Sequence, residues 1–402
     1  MSGQRTDQRE LRARMVARLV ENSYLARWEA ALVPWWPALA TVPRHEFLPD
    51  TVWVDHDGPG PGLRPLHRAE DPDRWLELAY SDDAVITQVD DGHPSGPGLA
   101  GRMPTSSASS PLIVAVMLAA LDAQPGHRVC EIGTGTGYHA ALLAHRLGGE
   151  RVTTIEIDPA VAAHARGALA ATGYGRVCVV TGDGARGYPP HAPYQRMVAT
   201  AAVHRIPYPW VVQTCPGGRI LLPWATSYTE ALVGLTVDEH GSATGTIIGE
   251  SAFMCLREQR EWRGSVAAVV GGDEDRVETG STTLHPYWVS GDPGARFAIA
   301  QRVPECQWRY WPYDDNDGTG VLWLLDFRSG SWAKLTHTTP DASDDDFRVR
   351  QHGPRRLWDE VEAAHHWWVA HGRPDVERWR FTVTPEDQQI ELLSSGPAGG
   401  SG

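Results

Sequence analysis

Near the start of the chain, apolar residues recur at helical spacing. Leu11, Met15, Leu19 and Tyr24 form a stripe between arginines and glutamates, which predicts a helix within residues 7–34. A proline-bounded segment follows, Val42-Pro43-Arg44-His45-Glu46-Phe47-Leu48-Pro49. Residues 56–66 and 90–102 are rich in glycine, proline and aspartate and predict loops. The middle of the chain reads differently. An apolar helix is predicted over 110–122, then a buried strand at 128–132, a glycine-rich turn and a helix over 138–147. Strands follow at 152–156, 177–180, 197–200 and 219–223, with a helix over 159–172 between the first two. Strands alternating with helices predict the α/β class, with a parallel sheet covered by helices on both faces.

After about residue 225 the pattern shifts again. Ala231 to Val237, Thr246 to Cys255 and Val321 to Phe327 read as strands, and 357–371 as a helix with Trp358, Val361, His365 and Trp368 on one face. The chain therefore divides into an N-terminal helical and loop segment (1–100), a core (101–225), a tryptophan-rich mixed α+β extension (226–393) and a flexible tail (394–402).

Composition narrows the function classes. With 402 residues and 42% hydrophobic content the chain can bury a large core, and 21% charged residues argue against global disorder. A net charge of −14 argues against a nucleic-acid partner. The one lysine is Lys334; the other basic residues are arginines. Five widely spaced cysteines without a CxxC pair give no disulfide framework or zinc site. The polar first ten residues and the absence of a long apolar run predict a cytoplasmic protein with no membrane partner. His365-His366 sit side by side on a helix, so one is expected packed and the other exposed, not a metal pair. The acidic runs Asp314-Asp315 and Asp344-Asp345-Asp346 read as solvated loops. No metal is expected.

The sharpest chemical signal is Glu131-Ile132-Gly133-Thr134-Gly135-Thr136-Gly137-Tyr138, between a strand and a helix. Glycines there let backbone approach a ligand closely. The same pattern also fits a nicotinamide or flavin site, or a turn with no ligand. Three acidic positions at successive strand ends favour S-adenosylmethionine: Glu131 toward its methionine end, Glu156 toward the ribose hydroxyls, and Gly182-Asp183-Gly184 toward the adenine. Ile157, next to Glu156, and Thr200, at the end of the fourth strand, complete the expected cofactor set.

These residues resemble the protein L-isoaspartate O-methyltransferase family. Val42 to Pro49 is similar to its N-terminal signature, Ala79-Tyr80-Ser81-Asp82 to its "AYxD" segment, and Glu131 to Tyr138 to its glycine loop. Gly182-Asp183-Gly184, Ala192-Pro193-Tyr194 and Gly217 to Pro223 match further motifs, with Gln195 where the family carries an acid. The resemblance covers residues 40–225 and implies a Rossmann-like methyltransferase sheet. It also places the family's substrate-binding hydroxyls. Aligned on Pro111, Ser109 and Ser107 fall on the family's serine and threonine, with Thr105 and Ser106 beside them in a larger hydroxyl cluster. A serine-rich cap for the helix beginning at Pro111 is a compatible second reading. The length of the chain and its tryptophans further resemble the extended members that mature peptides crosslinked by ATP-grasp ligases.

A carboxylate is already a nucleophile near neutral pH, so no general base is expected. The task is desolvation and alignment, for which hydroxyl and backbone donors suit better than a salt bridge. The resemblance implies methylation of an aspartate in a crosslinked precursor peptide, then attack of the next backbone nitrogen to give an aspartimide, which can open to isoaspartate. Two other readings stand beside it: a generic isoaspartate repair enzyme, and a cofactor-holding peptide-binding module without catalysis.

Overall fold

Three sheets organise the chain. The computed structural model describes residues 7–55, 62–96, 100–260, 266–270, 277–311, 320–337 and 347–394. The expected acidic loops at 314–315 and 344–346 lie outside these residues. The first sheet is antiparallel: β1 (Thr51–Asp55), β2 (Leu63–His67), β3 (Val85–Val89) and β4 (Pro104–Ala108), in the order β2-β1-β3-β4. Of the two stretches expected as loops, 56–66 thus contributes most of β2, while 90–102 adds only an isolated bridge from Gly101 to Leu63. Leu66 points into a core with Trp75 and Tyr80 that glycine and proline content alone conceals.

The second sheet has nine strands. One side of it, out to the edge strand β7, holds β5 (Val129–Ile132), β6 (Val152–Glu156), β7 (Cys178–Thr181), β8 (Tyr194–Ala199) and β9 (Thr214–Ala225), all parallel. The chain builds outward from β5 to β6 and β7, then returns to β8 on the other flank of β5. That reversal opens a crevice at the carboxyl ends of β5 and β8, the usual ligand position in open α/β sheets. The helix Pro111–Leu121 is apolar on every side because it is buried on every side, packed on the sheet and under the N-terminal helices.

Beyond residue 225 the sheet does not stop. β10 (Glu230–Val237) pairs with β9, β11 (Ala243–Gly249) with β10, and, after a long excursion, β17 (Trp379–Val383) with β11 and β18 (Gln388–Leu392) with β17, all antiparallel. The boundary expected at 225/226 falls inside the β9–β10 hairpin, and the boundary at 100/101 falls inside the first sheet. The excursion carries the third sheet, antiparallel in the order β12-β16-β15-β14-β13: β12 (Glu278–Thr282), β13 (Gln307–Trp311), β14 (Gly320–Asp326), β15 (Ser331–His337) and β16 (Phe347–His352). Against it pack the helices Pro293–Arg302 and Leu357–Ala370. Trp332, Trp358, Trp368 and Trp379 are buried core residues. His365 is buried and His366 exposed.

The predicted first helix is shorter than its pattern. It spans Gln8–Glu21 and buries Met15 and Leu19; Asn22 ends it in extended conformation, and its side chain accepts from Tyr24 N–H to start a new turn. Tyr24 is therefore out of phase and exposed. Among the described residues no helix is long and apolar enough to cross a membrane, and no group of three metal-ligating side chains comes together.

Candidate active site

β5 ends at Ile132, and the chain turns through Gly133 (φ 90°) and Gly135 (φ 51°). A Cβ on Gly133 would stand 2.9 Å from Thr200 Oγ1, and one on Gly135 3.4 Å from Ser107 O. The loop is thus wedged between the end of β8 and strand β4, in a conformation that favours glycine. Gly133 N–H donates to Ile155 O (2.9 Å) and Thr200 N–H to Ile132 O (2.8 Å), which ties β5, β6 and β8 together below the turn. Thr200 Oγ1 also donates to Gly133 O. Gly137 (φ 89°) serves a different end: its missing Cβ lets Ala165 and Leu169 of the next helix pack close.

The loop borders a cavity of about 1200 Å³. Its walls include Gly133, Thr134, Gly135, Tyr138, Glu156, Ile157, Asp183, Gly184 and Thr200, so most of the expected cofactor residues meet at one place. Three do not line it. Gly137 and Gly182 stand behind the wall, and Glu131 is completely buried. Glu131 Oε1 accepts from His139 Nδ1 (2.6 Å) and Oε2 from Thr154 Oγ1 (2.5 Å), while the Thr154 and Thr134 hydroxyls lie 2.7 Å apart. Its carboxylate faces inward and braces the loop and the first turn of the following helix.

Glu156, at the end of β6, is half-buried. Oε2 accepts from Gly135 N–H (2.9 Å) and Oε1 from Asp158 N–H (3.1 Å). Burial pushes its carboxyl above the ordinary range, against the pull of those N–H groups. Asp183 caps the turn after β7, accepting from Ala185 N–H at 2.9 Å, and pairs with Arg186.

The hydroxyl cluster lies on β4 and the connection after it, not in a loop. Thr105 Oγ1 donates to Gln88 Oε1 (2.8 Å) and accepts from Asp91 N–H (3.1 Å); Ser106 Oγ accepts from Thr87 (3.2 Å). Ser110 caps the helix Pro111–Leu121, accepting from Ile113 N–H (3.3 Å). Ser107 and Ser109 line the same cavity. The capping reading thus holds for Ser110, and internal bonds occupy Thr105 and Ser106.

A third wall was not expected. Residues 251–260 cross the mouth of the crevice, held by a bridge between Ala202 and Cys255 and by ion pairs back to the first sheet and the end of β6. Arg257 reaches Asp91 (3.1 Å) and Asp158 (3.3 Å), and Arg260 reaches Asp91 (2.9 Å). Burial works to raise the Asp158 carboxyl, but hydrogen bonds from Gln88, the N–H groups of Val161 and Ala160, and Arg257 hold it below the usual range. Asp90 and Asp91 both adopt left-handed backbone, which turns β3 toward this strap. From the far side Thr226, Tyr228, Arg296, Trp308, Arg309 and Tyr310 complete the cavity.

The sequence model of the family described as Protein-L-isoaspartate(D-aspartate) O-methyltransferase (PCMT) matches residues 75–261. A protein-L-isoaspartate O-methyltransferase of Methanopyrus kandleri is 34% identical over 250 residues, which span 62% of this chain and 92% of that protein. The chain belongs to the protein-L-isoaspartate O-methyltransferase family. It is an S-adenosylmethionine-dependent carboxyl O-methyltransferase with a peptide or protein substrate. A second relative, from Rhodopseudomonas palustris, is 43% identical over 166 residues, 41% of this chain and 61% of that protein. A solved structure titled protein-L-isoaspartate O-methyltransferase matches with a TM-score of 0.51 at 19% identity, across 96% of this chain and 100% of that one. The family likeness in fold therefore extends past residue 261, where the sequence match ends.

Proposed function

We propose that this methyltransferase acts on an aspartate side-chain carboxylate of a dedicated, crosslinked precursor peptide. The observation that carries the reading is the composition of the cavity wall. Its volume of about 1200 Å³ exceeds the roughly 300–1,000 Å³ of a small-molecule pocket. The surplus is walled by Tyr228, Arg296, Trp308, Arg309 and Tyr310, which lie within the tryptophan-rich extension. Aromatic side chains suit a peptide groove, because they offer contact area with little rotamer freedom to lose, and arginine adds a planar set of donors.

The residues fit the cofactor. Side chains at Gly133 and Gly135 would fill the cradle, Glu156 presents acceptors for ribose hydroxyls, and Asp183 with Gly184 and Ile157 borders the adenine position. Thr134, Tyr138 and Thr200 frame the remaining wall. The cofactor supplies a sulfonium-bound methyl group, and the chain supplies alignment. Ser107 and Ser109 donate to the acceptor carboxylate, with Thr105 and Ser106 holding β4 in place. One carboxylate oxygen would form the new O–CH₃ bond as the methyl–sulfur bond breaks and its electron pair stays on sulfur, and no proton is transferred. The next residue's backbone nitrogen then displaces methoxide, which leaves as methanol, and the aspartimide forms without a group from the enzyme.

The relatives' names favour a second reading, methylation of isoaspartate in damaged proteins. Mass spectrometry separates the two. The purified enzyme with cofactor and an ATP-grasp-crosslinked precursor should add a methyl mass or remove water. Turnover of a short isoaspartyl peptide with no mass change on any crosslinked precursor decides for repair.

A further inference from the structure

Arg44 lies in the proline-bounded N-terminal segment and is fully buried. Its guanidinium donates to three carbonyls: Ala79 O, Ala108 O (3.2 Å) and Ser109 O (2.9 Å). Its Cζ sits 5.9 Å from the ring centroid of Tyr138, which lines the cavity. Among the described residues no carboxylate pairs with it. Glu46, two positions on, is bound to His45 Nε2 (3.1 Å) and half-exposed. Tyr80 and Tyr138 are both buried and burial pushes their hydroxyls up, so they stay neutral. Arg44 Nε is buried without a partner.

A buried cation without a counter-ion is costly, because no opposite charge offsets its desolvation. Two of the three carbonyls it grips belong to Ala108, the last residue of β4, and Ser109, in the connection to the helix Pro111–Leu121, both on the cavity wall. We infer that Arg44 is a positioning residue for the acceptor: it fixes the Ala108–Ser109 backbone and sets a positive potential there, so that the substrate carboxylate is its counter-ion. The arrangement separates attraction from direct pairing. The Nη groups are committed to carbonyls, so the cation draws and holds the carboxylate without forming a bidentate bridge that would blunt its oxygens as nucleophiles. Pinning backbone alone does not require a charge; a neutral amide donor would do it.

This inference rests on the reading that Ser107 and Ser109 face the acceptor carboxylate. The test measures discrimination between charge and shape. With S-adenosylhomocysteine bound to prevent turnover, a crosslinked precursor and a short isoaspartyl peptide are each titrated against the form carrying a carboxamide at the acceptor position. The parent enzyme should prefer at least one carboxylate form about tenfold or more. Arg44→Met should bring that ratio close to one while carboxamide affinity and cofactor affinity stay within about twofold; Arg44→Lys should restore most of the preference. An unchanged ratio in folded Arg44→Met, or equal weakening of both forms, overturns the inference and leaves Arg44 a structural residue. So does a parent enzyme with no preference. If Arg44→Met does not fold, a ¹³C-carboxyl titration of the bound acceptor in the parent enzyme decides: its pKa should lie below that of the free peptide, and a value unchanged or raised overturns the proposal. Failure of the underlying reading looks different, since Ser107→Ala and Ser109→Ala would then leave the ratio untouched while Arg44→Met changes it.

Discussion

The imidazole of His139, in the first turn of the helix that follows the glycine loop, donates through Nδ1 to the buried carboxylate of Glu131 at 2.6 Å. The pair makes Glu131 a brace. Glu131→Ala would leave Thr154 Oγ1 and His139 Nδ1 buried without their acceptor, each worth about 1–3 kcal/mol. Calorimetry should therefore show a clear fall in melting temperature, with weakened cofactor binding following from the loosened loop. A variant as stable as the parent but defective only in cofactor binding would return Glu131 to direct contact.

Glu156 should carry the ribose contact. Loss of a charge-assisted bond costs about 1.5–3 kcal/mol, so Glu156→Ala should raise the cofactor dissociation constant at least tenfold with the fold intact. Unchanged affinity would mean that another group binds the ribose.

The same carboxylate gives the site a pH response. Burial raises its pKa in the folded protein, so the ionised form costs stability at neutral pH, and that cost disappears below the unfolded value. Cofactor affinity moves the opposite way. Acidification through the raised folded pKa protonates an acceptor, so affinity should begin to fall at a pH where an ordinary glutamate, near about 4.3, is still ionised. Glu156→Gln should flatten that limb; an acid limb that persists in Glu156→Gln assigns it to another group.

Ser109→Ala should slow turnover more than it weakens cofactor binding, because the lost donor acts on the acceptor. Ser106 already accepts from Thr87, so Ser106→Ala should be milder. Full activity in Ser109→Ala with a dead Ser106→Ala would shift the functional hydroxyl three residues along β4.

On the far wall, Tyr310 stacks on His337 with ring centroids 5.6 Å apart, which holds its side chain at the cavity edge. Tyr310→Ala should raise the Michaelis constant for the precursor several-fold and leave cofactor affinity alone. No change in that constant would make this wall structural.

What the sequence disclosed follows the range of the interactions. Gly133, Gly135 and Glu156 could be read because the cradle is built from a strand, its turn and the next strand, each with its own periodicity. Helix Gln8–Glu21 was overextended because one capping asparagine interrupts an otherwise continuous stripe. The strap was invisible for a different reason. Arg260 meets Asp91 across 169 positions and Arg257 meets Asp158 across 99, and no local pattern marks such partners. The bracing partners of Glu131 were hidden for the same reason, since only the fold brings Thr154 and His139 to its two oxygens.

β11 and β17 are antiparallel neighbours, with Ala243 opposite Val383 and Thr246 opposite Arg380. The chain therefore leaves the catalytic sheet at Gly249 and re-enters it at Trp379 at the same end of one strand pair. The described residues between them form an appendage with a two-stranded stem. The cofactor-bearing strands need not change when the appendage does, except where residues 251–260 lie over the crevice and where Phe297 packs on Trp224 of β9. Such a topology lets acceptor choice diverge by replacing a single continuous stretch of gene, and it marks the stem as the place to splice when one member's appendage is grafted onto another's catalytic sheet.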